Sequence, residues 1–469
     1  MKSALTLASD FASGALSPVE SLAQTRAQLA SVDPELHIMI ATRDHTTLDE
    51  EARASEQRWR AGKPLSALDG VPIAVKDNIL THDLPTSWGN AFLAKQAGTV
   101  DEIAVDRLRR AGLLIIGKTS VPEFTLEGYT ANSLAGVTGN PWNSSLTPGG
   151  SSGGSVAGVA SGCFPLALGT DGGGSIRRPA GYTGLIGLKP SIGRVARNHT
   201  LPPLLLDFEV IGPIGRRVAD VSALLDIIAG PDLTDRTSRA LPDKPLAGAN
   251  NQTAQPRVLI VSKLGESPVD AAIDQNLQGL ASKCDSLGWQ LSHESLPVSI
   301  DEINAVWPDI GGLGLVELAR TMPEAIDAAA AKYQSWVDDA RQLPAHRLLE
   351  ILEITRVLRR DVDELFEAFD FLLMPTSAAM PWAADQTHPT SIAGEPVGPR
   401  GHAVFTGWIN AAGLPAVTLP GKPSSDGLPI GYQLVGPWGA DQSLLAAAGL
   451  VEPLLSWAGQ LPPAYQSNR

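Results

Sequence analysis

The most informative stretch of this 469-residue chain is Leu168-Gly-Thr-Asp-Gly-Gly-Gly-Ser-Ile-Arg177. Three consecutive glycines directly before Ser175 give a backbone that can turn several N–H groups toward one point, with no Cβ atoms to obstruct a ligand. An oxyanion hole beside a serine nucleophile requires such an arrangement. A tight glycine turn with an incidental serine explains the stretch equally well when it is taken alone.

Two other glycine-rich stretches match well-known formulas without the context that the formulas need. Gly112–Thr119 fits the P-loop formula G-x-x-x-x-G-K-[ST], but its middle residues Leu-Leu-Ile-Ile predict a buried strand rather than a phosphate-binding loop. Gly149–Gly153 fits the nucleophile-elbow formula G-x-S-x-G, but turn-forming residues 143–148 precede it instead of a hydrophobic strand. An α/β-hydrolase with His402 as its late histidine stays open as an alternative.

Residues 68–191 alternate short apolar strands with helices. Residues 71–75 predict a strand that ends at Lys76, residues 113–116 predict another, and residues 155–160 predict a helix of small residues. Such alternation predicts an α/β fold with a central mixed sheet covered by helices on both faces. Further strands are predicted at 258–261, 371–374, 416–419 and 430–435, and further helices at 99–110 with a Thr99–Glu102 cap, at 217–229 and from Ser267.

The chain divides into regions rather than domains. The first 65 residues predict helices, one from Ser17-Pro18 to Asp33-Pro34 and another over 47–61. Residues 66–230 hold the glycine-rich core, and the mainly helical residues at about 300–400 are expected to build a substrate pocket. The sequence contains no internal repeat or low-complexity linker, so residues 1–469 are predicted to form one domain.

Composition argues against several classes of function. The chain has 36 basic and 50 acidic residues, and its net charge of −14 opposes binding to a nucleic-acid backbone. Two cysteines are too few for a disulfide framework, and the eight histidines form no close metal-ligand pair. No apolar run approaches the ~20 residues of a membrane-spanning helix, and no secretory leader is evident. We therefore expect a cytoplasmic protein without metal, nucleic-acid or membrane partners.

Taken together, the glycine-rich stretches resemble the amidase signature family of Ser-Ser-Lys hydrolases. The resemblance rests on Gly70-Val-Pro-Ile-Ala-Val-Lys-Asp-Asn78, Gly149-Gly-Ser-Ser-Gly-Gly154, Leu168–Arg177 and Gly184-Leu-Ile-Gly-Leu-Lys-Pro190. Similar motifs cover most of the chain except about 235–400. The resemblance implies the single-domain amidase signature fold and hydrolysis of an amide through an acyl-enzyme, with no cofactor.

Carried over residue by residue, the resemblance implies a catalytic triad. Lys76 would be the base, Ser151 the bridging serine on a cis Gly150–Ser151 peptide, and Ser175 the nucleophile. The oxyanion would be held by four backbone N–H groups, those of Gly172, Gly173, Gly174 and Ser175. Many family members have Thr, Ser or Ile in place of Gly172, so we expect altered loop flexibility or pocket room there rather than lost chemistry.

Acid–base chemistry supports these roles independently. A lysine accepts a proton only when neutral, and an ordinary pKa of about 10.4 leaves fewer than about one lysine in a thousand neutral at pH 7. Lys76 follows a buried apolar strand, so we expect desolvation to lower its pKa, while Asp77 points to the opposite side. Ser151 is needed as a relay because a buried lysine cannot also touch a nucleophile that is exposed to substrate.

Other residues near these motifs also have purely structural explanations. Asp171 and Arg177 flank the glycine loop and are expected to fix its shape rather than to transfer protons. Family analogy puts Thr125, Leu126 and Gly128 along the substrate pocket, although a plain loop fits them equally well. Five tryptophans could shape an apolar pocket or pack in the core, namely Trp307, Trp336, Trp382, Trp408 and Trp438.

The resemblance leaves the substrate open, because family members cleave fatty, aryl and peptide amides, carbamates and ureas with one centre. The Leu, Ala and Trp content of residues 300–400 favours a small aryl amide or a carbamate (urethane), with esterase side activity. One alternative is the glutaminase subunit of a tRNA-dependent amidotransferase, which hands ammonia to a partner protein. Another is a catalytically inactive binding module on the same fold. A homodimer is compatible with the main prediction and leaves it unchanged.

Overall fold

A mixed sheet of eleven strands runs through the residues that the computed structural model describes, which are 2–198, 201, 203–241, 255–455 and 460–465. In chain order the strands are β1 Met39–Thr42, β2 Pro72–Lys76, β3 Leu114–Thr119, β4 Leu166–Asp171, β5 Ile186–Lys189, β6 Val210–Gly215, β7 Arg257–Ile260, β8 Gln290–His293, β9 Phe371–Pro375, β10 Ala416–Pro420 and β11 Gly431–Val435. Their spatial order is β1-β3-β2-β4-β6-β5-β10-β11-β9-β7-β8. One sheet thus joins both halves of the chain, which confirms the predicted single-domain α/β fold.

Strand direction changes along the sheet. β2 lies between β3 and β4 and is parallel to both, whereas the pairs from β4 through β9 are antiparallel and β7 is parallel to β8 and β9. Every residue of β2 is buried, as expected for an apolar central strand covered on both faces. Because β2 and β4 are parallel neighbours, their carboxyl ends meet at one edge of the sheet.

Helices cover both faces of the sheet within the described residues. They are α1 Ala4–Ser13, α2 Pro18–Leu36, α3 His45–Arg60, α4 Ile103–Arg110, α5 Gly153–Ala160, α6 Arg177–Thr183, α7 Val218–Ile228, α8 Ala271–Ser286, α9 Asp301–Thr321, α10 Pro323–Asp327, α11 Ala331–Ala340, α12 Arg347–Ala368, α13 Gly407–Ala411 and α14 Asp441–Val451. Ile73 and Val75 of β2 join the core shared with α4, α7, α8 and α14. Ala74 joins the opposite core with Val156 of α5. Lys76 follows Ala74 by two residues, so alternation directs it toward the α5 side.

The N-terminal region is not entirely helical, which corrects the expectation for residues 1–65. β1 forms the edge of the sheet and pairs antiparallel with β3. Its four residues are only partly buried and too few to show a strand period. The helix α1 lies in the region predicted to be helical, although no bounds were predicted for it, and α2 continues through Pro34 to Leu36 instead of ending at Asp33-Pro34.

Two other predicted helix starts were wrong. The helix predicted from Thr99 begins at Ile103, because the Glu102 carboxylate accepts the Ile103 N–H and caps the helix there. The helix predicted from Ser267 begins at Ala271, since the Asp270 N–H donates to Ala378 O in the loop after β9. The remaining strands and helices with predicted bounds lie within a few residues of the observed ones, and α9 to α12 fill most of residues 301–368 in the region predicted to be mainly helical.

Candidate active site

Three chain segments meet where β2 and β4 end. Lys76 is the last residue of β2, Ser151 lies just before α5, and Ser175 lies in the turn between β4 and α6. The parallel register of β2 and β4 pairs Val75 with Leu168, which brings the end of β2 beside the glycine loop. The fold therefore brings together segments separated by about a hundred residues of sequence.

Lys76 is fully buried and held by three hydrogen bonds. Its Nζ lies 2.8 Å from Ser151 Oγ, 2.8 Å from Thr170 Oγ1 and 3.2 Å from Thr170 O. Burial lowers the pKa of Lys76 from 10.5 to about 7, and the negative charges of Glu209 and Asp171 only partly oppose it. Far more of the Lys76 side chains are therefore neutral at pH 7 than of an ordinary lysine.

Asp77 points away from this lysine, as predicted. Its carboxylate lies 3.6 Å from Lys118 Nζ and accepts hydrogen bonds from the hydroxyl and the N–H of Ser87. Lys118 is the lysine of the apparent P-loop formula, and its Nζ also donates to Ile79 O at 2.6 Å. Since Leu114–Thr119 is strand β3, this formula marks a buried strand and not a phosphate-binding loop.

Ser151 and Ser175 lie in adjoining turns. The Gly150–Ser151 peptide is cis, and the Ser152 N–H donates to Ser175 O at 3.2 Å. The hydroxyl of Ser175 forms no hydrogen bond with any residue that the structure describes, and Ser175 lines a cavity. The direct Ser151–Ser175 contact that the predicted relay requires is thus not formed in this structure. Hydrogen bonds of this kind are often long in ligand-free sites and tighten around substrate.

The glycine loop offers three free N–H groups instead of the four predicted. The Gly174 N–H donates to Asp171 Oδ1 at 2.7 Å, and Gly174 has a positive φ of 111°. The N–H groups of Gly172, Gly173 and Ser175 donate to no group within the described part of the chain. Gly174 is therefore removed from the set of oxyanion donors.

Asp171 and Arg177 form a fully buried ion pair under the loop. Two nitrogens of the Arg177 guanidinium each lie 3.0 Å from one Asp171 oxygen, and the N–H groups of Ile176 and Arg177 also donate to this carboxylate. Burial raises the pKa of Asp171, but Arg177 and these hydrogen bonds outweigh it and hold the pKa well below its usual range. An always-ionised carboxylate fits the loop-shaping role expected for this pair and not proton transfer.

A cavity of about 480 Å³ opens onto Ser175. Thr125, Leu126 and Gly128 line it together with Trp307 and Trp336. The other three tryptophans do not line the cavity: Trp408 is buried in the core, Trp382 packs edge-on against Tyr182, and Trp438 is 44% exposed. The cavity wall is therefore partly aromatic, as the composition of residues 300–400 suggested.

Several polar residues of the site were missed from the sequence. Asn78 Nδ2 donates to Thr170 Oγ1 at 2.9 Å and to Glu209 Oε1 at 2.8 Å, so it holds the threonine that holds Lys76. Asn78 stands two residues after Lys76, and Thr170 directly precedes the glycine loop. Their proximity to the motifs could have identified both.

Arg178 and Arg400 also line the cavity and were not predicted to do so, whereas His402, which lines it too, was considered only as the late histidine of the hydrolase alternative. Only Arg178 stands beside a recognised motif. The ring nitrogens of His402 bond to no described residue, and burial lowers its pKa well below the usual value. No Ser–His pair is formed within the described chain, so the structure does not support the nucleophile-elbow alternative.

Two properties of the described residues concern metals and membranes. They contain no group of three or more His, Cys, Asp or Glu side chains placed to hold a metal ion. Among their helices, none is both long and apolar enough to cross a membrane.

Comparison with known proteins gives relatives over nearly the whole chain. The glutamyl-tRNA(Gln) amidotransferase A subunit of Symbiobacterium thermophilum is 33% identical, with 96% of each chain covered. A bacterial aryl acylamidase of the amidase signature family has a similar structure, with a TM-score of 0.88, 27% identity and 96% coverage of both chains. A 6-aminohexanoate cyclic dimer hydrolase matches with a TM-score of 0.88, 25% identity and 99% coverage of both chains.

The sequence relatives favour the amidotransferase alternative more than the aryl amide or carbamate prediction. The structural neighbours include enzymes that act on small amides. The family model described as Amidase matches residues 20–445. The chain therefore belongs to the amidase family, and it is an amidase signature hydrolase that acts on amide C–N bonds.

Proposed function

We propose that this chain hydrolyses a small carboxamide with an apolar or aryl group through an acyl-enzyme on Ser175. The observation that carries the proposal is the position of Ser175, which lines a cavity together with Leu126, Leu205, Trp307 and Trp336. Aromatic and aliphatic walls of this kind bind an apolar substituent by removing its surface from water. Carbamates and esters with similar substituents would enter the same cavity.

The hydrogen bonds of Lys76 support its role as the base. A neutral amine has two N–H donors and one lone pair. If the two donors serve the hydroxyl and carbonyl of Thr170, the lone pair faces Ser151 and accepts its O–H. Ser151 can then pass its proton to Lys76 while it takes the proton of Ser175.

In the first half-reaction Ser175 Oγ forms a bond to the carbonyl carbon and its proton moves through Ser151 to Lys76. The N–H groups of Gly172, Gly173 and Ser175 are free to hold the oxyanion. The C–N bond then breaks, and Lys76 returns the proton through Ser151 to the amine that leaves. A water molecule attacks the acyl-enzyme in the same way, releasing the acid and restoring Ser175.

A glutaminase subunit is the second candidate, because curated relatives at 30–33% identity are amidotransferase A subunits. Glutamine carries an ammonium group that needs an anionic partner. Glu127 is the one carboxylate on the described cavity lining, and Lys332 Nζ already pairs with it at 2.5 Å. This pairing favours an amide without an ammonium group over glutamine.

A substrate panel tests the proposal. The purified chain is assayed with an aryl amide, a matched aryl carbamate and ester, and glutamine, with Ser175→Ala as the inactive control. We expect hydrolysis of the aryl amide and little release of ammonia from glutamine. Glutamine turnover that exceeds aryl amide turnover, or activity that persists in Ser175→Ala, would overturn the proposal.

A further inference from the structure

Two guanidinium groups face the cavity without a carboxylate partner. Arg178 is buried, and its Nη1 donates to Gly173 O at 2.5 Å and to Thr406 Oγ1 at 2.9 Å, both neutral acceptors. Its Nε is buried and has no hydrogen-bond partner in the described chain. Burial lowers the pKa of Arg178 to about 10. The positive charge of this side chain is therefore fixed close to Ser175 and is not neutralised.

Arg400 is the less constrained of the two. The carbon at the centre of its guanidinium lies 4.6 Å from the centre of the Trp307 ring, and none of its nitrogens bonds to a described residue. Burial and repulsion from Arg178 lower its pKa to about 9. Stacking on Trp307 orients the planar guanidinium while leaving its N–H donors free for a ligand.

No group on the described lining offsets these two charges. The one carboxylate there, Glu127, is paired with Lys332. His402 is neutral and Thr387 is uncharged. By contrast, Arg177 lies only one residue before Arg178 and has Asp171 as a buried partner. The described lining therefore carries an excess of positive charge, and a carboxylate that enters the cavity would be stabilised by charge-assisted hydrogen bonds.

We infer that the cavity binds the carboxylate of an anionic amide substrate through Arg400. The inference rests on the proposed amide hydrolysis and names its substrate class, an amide with an apolar or aryl body and a carboxylate. Arg400 would hold the carboxylate through two parallel N–H···O bonds, while Trp307 packs on the apolar body. Arg178 adds positive charge, although its Nη1 already donates to Gly173 O and Thr406 Oγ1.

Matched anilide substrates, with release of the amine measured for each, test the inference. Succinyl and butyryl 4-nitroanilides differ by a carboxylate on the acyl side, and 4-acetamidobenzoate and acetanilide differ by one on the amine side. We expect one carboxylated member to exceed its neutral partner in kcat/KM by about tenfold or more, the size expected of a charge-assisted hydrogen bond. Arg400→Gln should remove this preference, and Arg400→Lys should retain part of it. The control Arg320→Gln, which affects an exposed pair with Glu317, should keep the full preference.

A binding measurement separates this inference from the proposed function. Benzoate and benzamide are titrated into Ser175→Ala, with and without Arg400→Gln, and we expect benzoate to bind more tightly only while Arg400 is present. If neutral anilides are hydrolysed but neither carboxylate improves turnover or binding, the inference is wrong and the proposed function stands. If benzoate binding depends on Arg400 but no amide is hydrolysed, the proposed function is wrong and the anion site stands.

Discussion

Replacing Asp171 with asparagine removes the charge that neutralises Arg177 beneath the glycine loop. Both partners of this pair are fully buried, so the substitution leaves a buried guanidinium without its counter-ion. Breaking a buried ion pair from one side costs about 3–5 kcal/mol. An asparagine amide also has a single acceptor oxygen, which cannot serve both the N–H of Gly174 and those of Ile176 and Arg177. We therefore expect Asp171→Asn to lower the free energy of unfolding by about 3–5 kcal/mol and to lower kcat as the loop loses its shape.

The same substitution at Asp207 is the matched control. Asp207 pairs with Arg359 at 2.9 Å, but the two side chains are 50% and 37% exposed, so we expect a loss below about 1 kcal/mol. Urea unfolding followed by tryptophan fluorescence measures both variants. Equal, small losses in the free energy of unfolding for the two variants would refute the argument that the Asp171–Arg177 pair shapes the loop. A stable Asp171→Asn enzyme with wild-type kcat would refute it as well.

Three further predictions concern the nucleophile, the loop and the lysine. Ser175→Ala should lower turnover by about 10⁴-fold or more, and a fluorophosphonate adduct should be found by mass spectrometry on Ser175 and not on Ser151. Gly172→Ala should remain folded and active, because an added Cβ meets a movable Leu205 methyl. Gly174→Ala should lower the free energy of unfolding by about 1–3 kcal/mol, because Gly174 has a φ of 111°. Equal melting temperatures of the two variants would contradict this contrast. Thr170→Val should lower kcat by about tenfold with little change in KM, since Lys76 loses a hydrogen bond, and an unchanged kcat would show that this bond is dispensable.

The sequence was sufficient for features that depend on local pattern. The apolar run before Lys76 predicted a buried strand, and desolvation of its last residue predicted a lowered pKa. The glycines before Ser175 predicted a loop with free N–H groups. What local pattern did not reveal was the competition within that loop, where the Asp171 side chain takes the N–H of Gly174.

Residues brought to the site by long-range folding could not be predicted in this way. Arg400 reaches the cavity from a segment about 225 residues after Ser175, and no periodicity or motif marks it. His402 reaches the cavity from the same segment, and it was considered only for a catalytic role that the structure does not support. The edge strand Met39–Thr42 was missed because pairing with β3, and not its own four residues, defines it as a strand. In both cases the information lies in contacts between distant segments.

The dependence of kcat/KM on pH tests the central claim, that Lys76 acts as a neutral base, most directly. Because burial lowers the pKa of Lys76 to about 7, its charged form prevails below that pH and cannot accept a proton. The account predicts that kcat/KM for an amide rises about tenfold per pH unit below pH 7 and levels off above it, and that Lys76→Arg is inactive throughout. A rate that is independent of pH between 5 and 9, or near-wild-type amide hydrolysis by Lys76→Arg, would contradict it.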